Sequence, residues 1–456
     1  MEQKKLLFAL VLTQFMLPFL MYALNVALPP IGKILHGSPV ILAWIPTAYF
    51  LALAALQIPF GCIADIYGRK KILLTGILIF LISSILAAFS VSCEMILIFR
   101  TFQGIGAAMI FGGVLSTISS ALPMTKRGKA YGWISMGGFS GMVLGPFLGG
   151  ILTGKFGWQS VFYSVVPIAL ICFMLIVKTQ EEWYGKQKPF DFKGAVLMAL
   201  SMIFIVYGLS SIKKVENVIF VVFGLILLAS FYVHEKKLKN PLVEIHLFKK
   251  KEFSYNLLSY FFAMMAMYPI QFLLSMYLQY FLRLPVPKTG FILTIAPLII
   301  GLISPVSGWL SDKKNPAVVA SIGIIFLILS LSFIISLNYQ FILLGLIIYG
   351  IGFGLFFTAN TKLVLSAVGR EFLGVGAGTY GTSSIVGMSI AMAIVISLMK
   401  LFIKGPLPLN KEAFELVVRS SIIVIIIFLV ISLLLTILAK DFSTLRVLRK
   451  GEINEK

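Results

Sequence analysis

The stretch Gly61-Cys-Ile-Ala-Asp65-Ile-Tyr-Gly68-Arg69-Lys70-Lys71 closes an apolar run that begins near Val40. Such a run, about twenty residues at 1.5 Å each, crosses about 30 Å of hydrocarbon, and a turn with one acid and three bases stops it at a membrane surface. The same event recurs later in the chain. Gly308, Ser311, Asp312, Lys313 and Lys314 close another apolar run, with Gly308 and Asp312 lying 247 residues after Gly61 and Asp65. Moved by that interval, Gly104 and Gly106 fall beside Gly350, Gly352 and Gly354. The pattern predicts a helical membrane unit used twice.

Working outward from that stretch, the composition of all 456 residues agrees: 59% are hydrophobic, 12% are charged, and the mean hydropathy is +1.01. Soluble domains carry about 25% charged residues, so this chain cannot coat itself with polar surface. Barrel strands would show about ten alternating residues, not runs of twenty. The fold class is therefore all-α integral membrane, with the lipid bilayer as its surroundings. Cys62, Cys93 and Cys172 lie in or beside apolar segments without CxxC or Cys/His spacing, which gives no disulfide framework, no metal site and no expected cofactor. The net charge of +21 comes in short clusters between apolar segments, where no continuous groove for nucleic acid can form.

Breaks in hydrophobicity divide the chain into fourteen spans, near 6–31, 40–63, 72–91, 95–122, 130–153, 159–178, 192–212, 217–234, 253–281, 289–311, 317–336, 340–361, 371–399 and 417–439. Lys4 and Lys5 precede the first run as they would in a signal peptide, but the run reaches Ile31 without a small-residue cleavage site and is expected to be retained. Lys and Arg number 27 on the side of the N-terminus and 10 on the other, with Arg100 completing the 38. Positive loops translocate poorly, so both termini are expected in the cytoplasm of a multi-pass cell-membrane protein. The expected organisation is a six-helix bundle over 1–178, a linker with two extra helices over 179–252, a second six-helix bundle over 253–440 and a cytosolic tail over 441–456. Repeated bundles facing each other suit a carrier that works by alternating access.

Three motifs carry a resemblance. Gly61, Asp65, Gly68, Arg69 and Lys70 resemble the loop motif of the major facilitator superfamily, whose glycines permit a tight turn and whose Asp and Arg latch the cytosolic gate. Asp312 stands in the second copy, where Asn315 and Pro316 replace the Gly and Arg. Arg100-Thr-Phe-Gln103-Gly104-Ile-Gly106 resembles the superfamily's motif with an intramembrane arginine. A charge within a span is costly, which makes Arg100 a functional candidate with Gln103 on its face; alternatively, only about 8 Å from the expected helix end, it snorkels outward. Gly132, Gly141, Gly145, Pro146, Gly149 and Gly150 match the motif typical of exporters, a flat small-residue stripe with a proline hinge.

Together with Asn25-Val-Ala-Leu-Pro29 and the fourteen spans, these motifs make the chain resemble the fourteen-helix drug:H⁺ antiporters, which include multidrug and tetracycline exporters. The resemblance implies the major facilitator fold and proton-coupled export of an amphipathic small molecule. One departure bears on coupling. Members commonly carry an acid four or five residues before that Asn, where this chain has Met21 and Leu20, and all seventeen acids and three histidines fall in loops, termini or helix ends.

Substrate candidates are Gln14 and Asn25 in the first span, eleven residues and about three turns apart, and Tyr260, Met264, Tyr268 and Gln271 on one face of the ninth. Met and aromatic stripes also fill ordinary helix interfaces, and that reading stands beside the functional one. A membrane enzyme would need an intramembrane acid, histidine or activated nucleophile, and no GxxxxGK loop is present. The expected function is ion-coupled export of amphipathic compounds by a monomer, with an uncoupled facilitator or a lipid-like metabolite or anion carrier as the alternative.

Overall fold

The computed structural model describes residues 2–121, 124–179, 189–211, 215–368, 373–405 and 410–454. It contains fourteen α-helices: α1 (Glu2–Ile34), α2 (Pro39–Tyr67), α3 (Arg69–Ala88), α4 (Cys93–Ala121), α5 (Met124–Phe156), α6 (Gln159–Val177), α7 (Phe192–Leu209), α8 (Val215–Glu235), α9 (Lys251–Tyr280), α10 (Val286–Lys313), α11 (Pro316–Ile334), α12 (Tyr339–Ser366), α13 (Leu373–Phe402) and α14 (Lys411–Asn454). All fourteen are long and apolar enough to cross a membrane. Several outrun the apolar windows of the sequence, since polar end turns keep their helical hydrogen bonds; α5 starts before residue 130, and α14 continues far beyond residue 439. Most of the expected linker after Thr179, residues 180–188, lies outside the described residues.

Helix starts follow local chemistry. The Ser38 hydroxyl accepts from the Ile41 amide with Pro39 in the first turn, and the Asn315 and Asn338 side chains accept from the Ala317 and Gln340 amides. Each pairs an amide that the helix leaves unsatisfied. Gly68 separates α2 from α3 with φ 106°, a conformation that L side chains avoid. The turn between the two spans can therefore be a single residue.

The chain forms two compact units: residues 1–242 with 269–294 and 389–417, and residues 243–268 with 295–388 and 418–456. In the first unit α1 packs on α5 and α6, α2 on α4, and α3 on α4 and α6. Helix α7 packs on α8 and on α2, with Tyr207 6.3 Å from Trp44 between ring centres. Ile219, Val222, Leu225 and Ile226 of α8 are exposed, an apolar face suited to lipid. In the second unit α11 packs on α12.

The internal repeat is visible in backbone approach. A Cβ at Gly106 would stand 2.7 Å from the Gly76 carbonyl oxygen, and one at Gly352 would stand 2.8 Å from that of Gly323. These are the α3/α4 and α11/α12 contacts of the two copies, at nearly the interval read from Gly61 and Gly308. Small residues let helices approach where apolar lipid gives no hydrophobic drive. The repeat in sequence is a repeat in packing.

Candidate functional site

At the end of α2 the Asp65 carboxylate accepts from Arg69 Nε at 2.7 Å, across one helical turn and the Gly68 break. Arg69 is buried and Asp65 is partly exposed. Lys70 donates to the carbonyls of Val177 and Thr179, which ties the start of α3 to the end of α6. The motif thus holds three helix ends in one unit. Gly61 has only ordinary contact with Gly112, so the tight α2/α4 approach falls on Gly112, whose Cβ would stand 2.7 Å from the Gly61 nitrogen.

Asp65 also lines a cavity of about 60 Å³ with Cys62, Ile66, Phe190 and Asp191. Asp191 caps α7 by accepting from the Gly194 amide at 3.0 Å, and its Oδ1 lies 2.9 Å from His234 Nε2. Burial works against the Asp191 carboxylate, but the Gly194 amide, His234 and a hydrogen bond with Glu235 outweigh it and hold the carboxyl below its usual 3.8. Asp312 in the second unit is held differently, by Lys362 of α12, whose Nζ lies 2.6 Å from its Oδ1 and 2.7 Å from the Ser311 carbonyl. Asn315 and Pro316 begin α11 where the arginine of the first copy stands, so the cation comes from another helix. Nothing in the repeat marked Lys362.

Arg100 stays within the span, completely buried, which removes the snorkelling alternative. Its Nη1 donates to Gln103 Oε1 at 2.8 Å, Gln103 Nε2 donates to the Ser84 hydroxyl at 2.8 Å, and the guanidinium lies 4.2 Å from the Tyr49 ring centre. An aromatic face and a relay of neutral hydrogen bonds replace hydration around the charge. These partners lock α2, α3 and α4 together. Ser84 and Tyr49 carried no sequence signal, because hydroxyl and aromatic side chains are common in spans.

The exporter-type stripe resolves into two faces of α5. Cβ atoms at Gly137, Gly141, Gly145 and Gly149 would meet α1 at Val11, Phe15, Phe19 and Ala23 in turn, the same four-residue step on both helices. Gly137 belongs to this ladder although the motif omits it, whereas Gly132 has open space around it. Gly150 and Gly154 face α10, where a Cβ would meet the Gly290 Cα at 3.0 Å and the Pro287 ring at 2.7 Å; the Pro146 carbonyl lies against Gly290. One helix therefore presses closely on both α1 and α10.

The same end of this unit is cross-linked by α9. Ser275 donates to the Asn25 carbonyl at 2.6 Å, Gln279 Nε2 to that of Val26 at 3.0 Å, and the Tyr280 hydroxyl to that of Pro29 at 3.0 Å. Gln271 Nε2 donates to the Leu293 carbonyl of α10 at 3.3 Å. Asn25 and Gln271 both lie at this end, Gln271 one helical turn before Ser275, and Gln14 is buried three turns earlier on α1. In the second unit Tyr260 stacks on Tyr380 with ring centres 3.7 Å apart, Tyr380 shares a hydrogen bond with Thr361, and Met264 packs near Gly387. Tyr260, Met264 and Tyr268 are all buried, as packing residues would be.

The pattern of the Major Facilitator Superfamily matches residues 10–392 and 257–446. The chain belongs to that superfamily. It is 28% identical over 383 residues to the riboflavin transporter RibZ of Clostridioides difficile (strain 630), covering 82% of this chain and 83% of the relative. It is 26% identical to the multidrug resistance protein Stp of Mycobacterium tuberculosis (strain CDC 1551 / Oshkosh), covering 85% and 74%, and 26% identical to the drug efflux pump JefA of the same strain, covering 88% and 82%. Among solved structures, an inward-facing bacterial homolog of the human lysosomal transporter Spinster superposes with a TM-score of 0.69 at 18% identity, covering 96% and 97%. That likeness shows the fold. The superfamily transporter is thus a multi-pass membrane protein whose relatives include drug-efflux pumps.

Proposed function

We propose that this transporter exports amphipathic small molecules by alternating access, with both termini in the cytoplasm. The observation that carries the reading is the cross-linked end, where α9 and α10, from the second sequence repeat, meet the first: α9 bonds to α1 and α10 packs closely on α5. With the basic loops inside, that end faces outward. A barrier of a few neutral hydrogen bonds and glycine contacts costs little to open, as alternating access requires. Asp65, Arg69 and Lys70, with Asp312 and Lys362, are the matching cytosolic latches. Among the relatives, drug-efflux pumps support export, and the riboflavin transporter supports a planar organic substrate.

The protein acts as a monomer, with coupling to protons carried on the substrate or on a gate residue such as Asp65, since no acid among the described residues lies in the middle of a span. That same observation favours a second reading, an uncoupled facilitator or a lipid-like metabolite or anion carrier. Export from proteoliposomes with and without an imposed pH gradient separates the two. Proton coupling gives concentrative export only with the gradient. Simple equilibration at one rate under both conditions shows a facilitator, and no movement of any amphiphile refutes the transport reading.

A further inference from the structure

Resting on that export reading, we infer that Asn25 and Gln271 form an uncharged amide clamp. It recognises substrates with a ring N–H beside a C=O: lactams, imides or ureides without formal charge. Both side chains are nine-tenths or more buried, Asn25 at 1% exposure and Gln271 at 4%. Neither Oδ1 nor Nδ2 of Asn25 meets a protein partner, and neither does Oε1 of Gln271. Buried polar atoms are nearly always paired, so three orphans within one helical turn of the Asn25–Ser275 bond are atoms that a ligand would satisfy. A leucine at either position would fill space without that cost.

The helix register brings the two together. Asn25, Val26 and Pro29 bond to Ser275, Gln279 and Tyr280 in ascending order, so α1 and α9 run in the same direction. Ser275 bonds to the Asn25 carbonyl and Gln271 precedes Ser275 by one turn, so the two residues lie within about a turn of each other along the parallel helices. The Gln271 amino group is spent on Leu293, so its free atom is an acceptor. Asn25 keeps a donor and an acceptor side by side.

The complement of Asn25 is an N–H flanked by a C=O on one rigid edge, bound through two parallel hydrogen bonds; Gln271 takes a second donor from the ligand. The spans contribute no formal charge here: α1 is charged only at Glu2, Lys4, Lys5 and Lys33, α9 only at Lys251 and Glu252, and α10 only at Lys288, Asp312 and Lys313. An ionised substrate would find no counter-charge, and desolvating it would be costly. The Asn25 carbonyl also accepts the Ser275 bond of the seal, so the residue that reads the substrate is part of the gate that releases it.

The test uses the fluorescent imide 4-amino-1,8-naphthalimide and its N-methyl derivative, which loses only the imide N–H. Binding is measured by fluorescence on the full-length purified protein. Wild type is expected to bind the parent about tenfold more tightly than the derivative, the effect of about 1.4 kcal/mol. Asn25→Leu should abolish that preference, chiefly by weakening the parent, and Gln271→Leu should keep a preference while weakening ligands with a second donor. The wild-type comparison needs no variant, so a misfolded Asn25→Leu leaves the inference testable. Equal binding of the two compounds, or binding of neither, overturns the clamp. Parent bound tightly yet never moved across proteoliposomes would instead remove the export reading.

Discussion

Replacing glycines one at a time along α5 separates a close-packed seam from a mere run of small residues. At Gly145 a methyl would stand 2.8 Å from the Phe19 carbonyl oxygen, 2.9 Å from Tyr22 Cβ and 3.2 Å from the Ala23 nitrogen. Ordinary contact begins at 3.4 Å, so α5 and α1 must part by about 0.6 Å; two of the three obstacles are backbone. A gap of about that size forfeits a quarter or more of each contact along the ladder, and overpacking of this kind costs about 1–3 kcal/mol. Gly132 has nothing within 4 Å, so Gly132→Ala meets no obstacle and gains up to about 1 kcal/mol of helix propensity. Thermal unfolding of the detergent-purified variants, followed by tryptophan fluorescence, reads the difference. Gly145→Ala should melt below wild type and Gly145→Val lower still, with export slowed in the same order, while Gly132→Ala should melt at or above wild type. Wild-type melting and export by Gly145→Val would refute the seam.

Three further outcomes are expected. Asp65→Asn should slow export several-fold while leaving equilibrium ligand binding within about twofold, because the Arg69 contact biases a gate without touching the ligand; unchanged export would take Asp65 out of the latch. Gln103→Leu removes the partner of a buried guanidinium and should cost about 1.5–3 kcal/mol in chemical unfolding, against a small loss for the exposed Gln340→Leu. Asp191→Ala should cost about 1 kcal/mol by uncapping α7. Since the folded Asp191 carboxyl lies below its unfolded value, its contribution is complete above about pH 4 and fades as pH falls below 3.8, so the wild type and Asp191→Ala should converge in stability in acid.

The fourteen spans were legible because length and hydropathy follow directly from the thickness of a bilayer, and the repeat because Gly61 and Gly308 end helices in the same chemical way. The Gly145 ladder was legible for a related reason: only glycine keeps a backbone approach open, so the close contact leaves a mark in the sequence. Hydroxyls and aromatics leave no such mark. Ser84 and Tyr49 surround Arg100, and Tyr380 stacks on Tyr260, yet each type is ordinary in a span, and only the fold brings them to their partners. Lys362 was hidden differently. A repeat leads one to seek the partner of Asp312 at the position of Arg69, and there the chain begins a helix with Pro316; the charge contact survives by recruiting a lysine fifty residues away.

The two copies make the charge contact at the ends of α2 and α10 in different ways. In the first copy the charge pair is local, Asp65 to Arg69 across one turn, and it can form as soon as α2 and α3 do. In the second it spans α10 and α12, so it forms only when those helices are packed. Asp65, Asp312 and Lys362 are open to solvent, and ion pairs screened in this way contribute only about 0–1 kcal/mol. That weakness suits a gate. Under the proposed alternating access, a latch worth several kcal/mol would hold one conformation against any substrate, whereas two small biases would let a few hydrogen bonds to a ligand decide which end is open.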